Sequence, residues 1–170
     1  KTYLNTAGSV ETVGLYNAGY MVTMTYAGVI FSAMETDYFP RLSGIEQLGS
    51  HFNNTVNRQI EVSLLLVTPM IVFMLATLPV LLPLLYSSAF MSVLPMMQIT
   101  MIAMFFRALK LPVAYIPLSR GDSKSYLILE SIYDVLIVLL VCLGFHYWGL
   151  KGTGAAITGA SIIDFIVLFV

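Results

Sequence analysis

The stretch IEVSLLLVTPMIVFMLATLPVLLPLL, residues 60–85, decides the fold, because Glu61 is its one charged residue. A helix needs about 20 mostly apolar residues to cross the hydrocarbon core of a bilayer. Proline is costly inside a water-soluble helix, but a membrane bundle tolerates it because neighbouring groups satisfy the freed carbonyls. Pro69, Pro79 and Pro83 are therefore compatible with a membrane-spanning helix at about 60–84.

The composition of the whole chain agrees with this interpretation. Of the 170 residues, 58% are hydrophobic and 10% are charged, and the mean hydropathy is +0.87. A soluble domain carries about 25% charged residues, so this chain has too few to cover a water-soluble globule. The net charge of −1 argues against a generally basic nucleic-acid-binding protein. We predict an all-α integral membrane protein.

Five apolar segments are candidates for membrane spans. They lie at about 12–34, 60–84, 94–118, 126–148 and 153–170. The first is the weakest, because polar residues such as Asn17 and Thr23 interrupt it. The chain starts at Lys1 without a signal-peptide pattern and stops within an apolar run. We therefore expect an internal piece of a larger membrane protein.

The basic residues of the connections predict the orientation of the spans. They are Arg41 and Arg58 in the first connection and Arg120 and Lys124 in the third. The connection at 85–93 carries no charge. Cytoplasmic loops carry an excess of Lys and Arg. We therefore predict that the loops at 36–58 and 119–125 are cytoplasmic.

The first of these loops contains an apolar pattern of helical spacing. Its members are Leu42, Ile45, Leu48, Phe52 and Val56. Such spacing is typical of one face of an amphipathic helix. We predict this helix at about 41–57, either lying on the inner membrane surface or packed on the end of the bundle.

Two cations, Arg107 and Lys110, lie inside the third predicted span. They are three residues apart, so they share a helix face. Counted at about 1.5 Å per residue from Ser119, Lys110 lies roughly 13 Å and Arg107 roughly 18 Å from the inner end. Such groups snorkel, pair with acids, or face a water-filled cavity. The cavity interpretation makes Arg107 and Lys110 candidate binding residues for an anionic substrate such as phosphate.

Three acids inside the predicted spans, Glu130, Asp134 and Asp164, are candidates for ion pairing or ion coupling. Glu130 and Asp134 are four residues apart and share a face. Asp134 reaches about the depth of Lys110, which predicts a Lys110–Asp134 pair. Asp164 is either a proton or cation site or a structural partner of Arg107.

The sequence contains no motif typical of an enzyme. It has no Gly-rich phosphate-binding loop, no GxSxG and no His, Cys or Asp spacing typical of a metal site. The single Cys142 excludes a disulfide framework. We expect a protein that is not an enzyme, with no catalytic residue, metal or cofactor. Its expected partners are membrane lipids and a transported molecule, not nucleic acid.

Four short strings resemble a known family in their order and spacing. They are VGLYNAG at 13–19, DYFPRLS at 37–43, NRQIEVSLLLVTP at 57–69 and SRGDSKSYLILE at 119–130. Together they resemble the bacterial polysaccharide (O-antigen-type) flippases of the multidrug/oligosaccharidyl-lipid/polysaccharide exporter superfamily. The resemblance extends over nearly the whole chain.

The resemblance implies a transporter of about 12–14 helices, with two six-helix lobes around a cationic cavity. This chain would be the second lobe without its first helix, and its partner would be the missing N-terminal lobe. The implied function is flipping of an undecaprenyl-pyrophosphate-linked oligosaccharide across the bacterial inner membrane by alternating access, for O-antigen and lipopolysaccharide synthesis. Arg107 and Lys110 would supply the positive charge of the cavity. A cation-coupled multidrug antiporter and a non-transporting scaffold subunit stay open as alternatives.

Overall fold

The computed structural model describes residues 10–169, and every regular element in that part of the chain is a helix. Residues 1–9 and Val170, the last residue of the predicted fifth span, lie outside the described part. The elements are α1 (Val10–Ser43), α2 (Ser50–Leu85), a short 3₁₀ helix (Ser88–Val93), α3 (Leu94–Ser119) and a helical segment at Ser123–Phe169. This confirms the predicted all-α membrane fold.

The last segment consists of two helices that meet at Gly149. Gly149 has φ 59° and ψ −142°, which is outside the helical region. Glycine adopts such a positive φ more readily than other residues. We call residues 123–148 α4 and residues 150–169 α5. The backbones of Gly144 and Gly152 touch, so neither position has room for a side chain. The two helices therefore fold back on each other as an antiparallel hairpin.

Three segments of the described chain are long and apolar enough to cross a membrane. They are Ser50–Leu85, Ser88–Ser119 and Ser123–Phe169. The last contains both α4 and α5, so four of the five predicted spans fall within these segments. The span predicted at 12–34 lies in α1, which is not among them because polar residues such as Asn17 lower its hydropathy.

Helix α3 is at the centre of the bundle and packs against α1, α2 and the α4–α5 hairpin. A methionine-rich cluster that includes Met74, Met97 and Met101 joins α2 to α3. A second cluster, which includes Phe31 and Ile157, connects α1 and α5 through the same central helix. Side chains on different faces of α3 therefore contact different neighbouring helices.

Helix α5 approaches α3 closely along one face. A Cβ atom at Gly154 would lie 2.8 Å from the carbonyl oxygen of Met96. One turn further along, Thr158 Oγ1 donates a hydrogen bond to the carbonyl oxygen of Ile99 at 2.8 Å. Asp164 lies six residues after Thr158, about 120° away from it around α5, and its carboxylate also reaches α3, where it contacts Lys110. The close approach of the two backbones brings Asp164 within reach of α3.

The predicted separate helix over 41–57 is not formed, and this prediction is wrong. Helix α1 continues to Ser43, residues 44–49 are not helical, and α2 begins at Ser50. The apolar pattern is divided between the two helix ends, where a buried cluster contains Tyr38, Leu42, Phe52 and Val56. Val113 of α3 packs against this cluster, so most of the pattern is buried inside the bundle instead of facing the membrane surface.

The hairpin between α3 and α4 follows from two residues of its sequence. Gly121 adopts φ 76°, the left-handed conformation that commonly ends a helix. Asp122 then caps α4 by accepting a hydrogen bond from the Ser125 amide at 3.1 Å. Hydrogen bonds from the side chain and then the backbone of Ser125 hold the pKa of the Asp122 carboxyl below its usual range.

The two basic connections meet at the same end of the bundle. Arg120 Nη1 donates hydrogen bonds to the carbonyl oxygens of Ile45 at 2.7 Å and Glu46 at 3.1 Å. Its guanidinium carbon lies 4.4 Å from the centroid of the Phe52 ring. The loops predicted to share the cytoplasmic side therefore lie on one side of the protein.

Candidate functional site

Lys110 is buried where α3, α4 and α5 meet. Its Nζ atom lies 2.9 Å from Glu130 Oε1 and 2.7 Å from Asp164 Oδ2. The same atom lies 4.8 Å from the centroid of the Tyr133 ring. The residue is 8% exposed, and a buried cation needs such partners. We call Lys110, Glu130 and Asp164 the Lys110 cluster, which holds one formal positive charge and two negative ones.

The predicted Lys110–Asp134 pair is wrong, because Glu130 and Asp164 are the partners of Lys110. On α4, Glu130 and Tyr133 form the face that meets Lys110. Asp134 is the next residue after Tyr133 and is rotated about 100° from it, as the 3.6-residue turn requires. It is exposed and has no ion-pair partner within residues 10–169.

Arg107 lies one turn before Lys110 but points toward a different helix. Its guanidinium carbon is 5.6 Å from the centroid of the Phe31 ring on α1. The residue is exposed, and no carboxylate in the described part of the chain forms an ion pair with it. The alternative Arg107–Asp164 pair does not form, because Asp164 is bound to Lys110.

Two cavities meet at Arg107. A small cavity of about 80 Å³, the Arg107 cavity, lies between α3, α4 and α5, with Glu35 of α1 at its edge. Its polar lining contains two cations, three acids and four hydroxyl groups: Arg107, Lys110, Glu35, Glu130, Asp164, Tyr115, Tyr126, Tyr133 and Ser161. A larger groove of about 400 Å³, the α1–α3 groove, is lined by residues that include Tyr20, Phe31, Ser32, Glu35 and Arg107. Arg107 and Glu35 line both, so they form the junction between the two.

The tyrosines of the Arg107 cavity were not expected from the sequence. Tyr115 and Tyr126 stack with their ring centroids 6.1 Å apart and their planes 13° apart. The Glu35 carboxylate lies beside the Tyr115 hydroxyl. Tyr115 lies six residues before Gly121 and Tyr126 five residues after it, and these similar separations from the turn are the sequence signal for their contact.

Of the two cations that line this cavity, Arg107 is the one without an ion pair among the described residues, and it is the group suited to an anion. The guanidinium of Arg107 offers planar, paired donors that match a phosphate. Tyr115 and Tyr126 add hydroxyl groups on the same wall of the cavity. Within residues 10–169, no group of three or more His, Cys, Asp or Glu side chains is placed to hold a metal ion.

A family model described as polysaccharide biosynthesis protein matches residues 6–95, which is more than half of the 170 residues. The chain belongs to the polysaccharide biosynthesis protein family. This confirms the family resemblance seen in the sequence. Comparison with curated proteins and with solved structures gives no significant match.

The protein is thus a multi-pass membrane protein with a role in polysaccharide biosynthesis or export. The matched residues cover α1, α2 and the 3₁₀ helix, and they include Phe31 and Glu35 of the site. Arg107 and the Lys110 cluster lie after the matched part. Their place in the site follows from the packing of α3 against α1, α4 and α5.

Proposed function

We propose that the protein flips a lipid-linked oligosaccharide across the bacterial inner membrane by alternating access. The cargo is an oligosaccharide on an undecaprenyl-pyrophosphate carrier, destined for a surface polysaccharide such as the O-antigen of lipopolysaccharide. The protein is a transporter, not an enzyme, and acts together with a first lobe of the same protein. Its membership in the polysaccharide biosynthesis family supports the class of cargo.

The observation that carries this proposal is the environment of Arg107. A charged side chain inside a membrane segment is costly unless it meets a partner or water. Lys110 forms ion pairs with two carboxylates, whereas Arg107 forms none within the described residues. Arg107 also lines two cavities. Its vacant donors suit an anionic group that arrives with the cargo, and a pyrophosphate provides oxygens that guanidinium binds in pairs.

Lys110 has a different part in the proposed mechanism. It lines the Arg107 cavity, but both of its short contacts are to carboxylates of the Lys110 cluster. We therefore assign the direct contact with the cargo to Arg107. Lys110 holds α3, α4 and α5 together behind it through its two ion pairs.

The two alternative functions fit the charges less well. The cation-coupled antiporter predicts that Asp134 or Asp164 faces a cavity without an ion-pair partner, but Asp164 is paired with Lys110 and Asp134 lines neither the Arg107 cavity nor the α1–α3 groove. A scaffold without cargo predicts that all the membrane charges pair with one another. Arg107 departs from that pattern.

Complementation of a flippase-deficient bacterial strain with the full-length protein tests the proposal. Arg107→Gln should reduce surface polysaccharide by about tenfold or more, as expected for the loss of a charge-assisted hydrogen bond. Arg107→Lys should retain part of the activity because it keeps the charge. Lys124→Gln, which changes an exposed cation in the hairpin, should behave as wild type. Normal polysaccharide in the Arg107→Gln strain, with normal expression, would contradict the proposal.

A further inference from the structure

Another cavity, lined by two arginines, lies between the end of α1 and the start of α2, away from Arg107. It has a volume of about 350 Å³, within the range of small-molecule binding pockets. Its lining includes Arg41, His51, Thr55, Arg58, Gln59 and Val62. We call it the Arg41–Arg58 pocket.

The lining residues of α2 share one face of that helix. His51, Thr55 and Arg58 are separated by four and three residues, and Val62 follows four residues later. Arg41, in the last turn of α1, faces them across the pocket. The two arginines therefore come from different helices and point into the same space.

One of the two arginines is held in place and the other is free. Arg41 Nη2 lies 2.6 Å from Asp37 Oδ2 and donates a hydrogen bond to Gln59 Oε1 at 3.2 Å. Arg58 is exposed and forms no hydrogen bond or ion pair with any residue from 10 to 169. Asp37 offsets the charge of Arg41 but not the charge of Arg58, so the pocket carries a net positive charge.

An apolar surface begins where the basic pocket ends. Val62 lines the pocket, and one turn further along α2 Leu65 is 73% exposed and Leu66 is 48% exposed. Residues 60–85 then continue as a membrane-spanning helix. A molecule with a negatively charged head and an apolar tail would place its head at Arg58 and its tail along Val62 and Leu65.

We propose that the Arg41–Arg58 pocket binds the phosphate head group of an anionic membrane lipid. Basic pockets beside membrane helices attract such head groups, and each Lys or Arg near the membrane surface contributes about 1 kcal/mol, or about fivefold in affinity. The apolar surface of α2 favours a lipid over free phosphate, because phosphate alone has no group to place there. This site is independent of the proposed cargo cavity.

Lipid binding to the purified full-length protein in detergent tests this assignment. Native mass spectrometry with phosphatidylglycerol and with phosphatidylcholine of the same acyl chains compares an anionic with a neutral lipid. The wild type should bind phosphatidylglycerol in preference. Arg58→Gln should weaken that binding by about fivefold, and Arg41→Gln/Arg58→Gln should weaken it further. Lys151→Gln removes an exposed cation next to Gly149, away from the basic connections, and should have no effect.

Two results would overturn the assignment. Phosphatidylglycerol binding to Arg58→Gln equal to that of the wild type would place the lipid elsewhere. Displacement of the lipid from the wild type by a tenfold excess of inorganic phosphate would make the pocket a site for free phosphate. Arg58 makes no contact that folding depends on, so the variant should fold, and its thermal midpoint without lipid checks this.

Discussion

At the scale of single residues, Arg107 and Lys110 show how two cations on one helix acquire different environments. They are three residues apart, but α3 has neighbours on several sides, so a small rotation about its axis changes which helix a side chain meets. Lys110 lies against two acids of α4 and α5, and Arg107 lies against Phe31 of α1. The sequence predicted both as cavity cations. In the packed structure, carboxylates offset the charge of Lys110 but not the charge of Arg107.

Removing Lys110 should be strongly destabilising. Lys110→Met would leave two carboxylates close together without their cation, and breaking a buried ion pair in this way costs about 3–5 kcal/mol. We expect a lower midpoint of thermal unfolding in detergent. Lys110→Met/Glu130→Gln/Asp164→Asn removes all the charges together and should recover most of the loss. A triple variant no more stable than Lys110→Met would show that the ion pairs are not what holds these helices.

At the scale of helices, the reversal at Gly149 determines where α5 lies. The predicted spans at 126–148 and 153–170 flank this residue, but their apolar composition does not indicate how closely the two helices approach. The contact between the Gly144 and Gly152 backbones sets that distance. Because the helices touch there, Ser161 comes within 3.5 Å of the Tyr133 hydroxyl, and Asp164 reaches Lys110.

Gly152→Ala tests the importance of this close approach. The new methyl group would clash with the backbone at Gly144, and overpacking of this kind costs about 1–3 kcal/mol. The variant should unfold at a lower temperature. Gly159→Ala is the matched control on the same helix, because a Cβ atom there has no neighbour within 4 Å. Equal stability of the two variants would contradict the packing role of Gly152.

At the scale of the whole molecule, Arg120 connects the two basic loops. Its Nη1 atom reaches the carbonyl oxygens of residues 45 and 46 from a position 74 or more residues away in sequence. The non-helical connection at 44–49 is exposed for most of its length, and Leu48 is 71% exposed. The hydrogen bonds of Arg120 therefore hold this loop against the end of α3.

Arg120→Ala should release the loop without unfolding the bundle. We expect faster hydrogen exchange at residues 44–49 and no change at residues 86–87, the connection after α2. Lys124→Ala is the control within the same hairpin, because its exposed side chain makes no such contact. Unchanged exchange at 44–49 in Arg120→Ala would show that the loop is held by the Phe52 cluster alone.

The sequence by itself determined the class of the protein, the approximate positions of the helices and the family. The class and the helix positions follow from local composition, because lipid requires long apolar segments whose backbone groups are satisfied within each helix. The family follows from the order and spacing of four short strings. The sequence also indicated that loops 36–58 and 119–125 share one side, and the Arg120 contacts agree with this.

Only the tertiary structure decided how the helices are rotated about their axes and how closely they approach. Those two quantities select Glu130 and Asp164 over Asp134 as partners of Lys110 and leave Arg107 at the junction of two cavities. They also divide the apolar pattern of 41–57 between two helix ends. The physical reason is that side-chain partners depend on packing between distant segments, which the apolar periodicity of one segment does not encode.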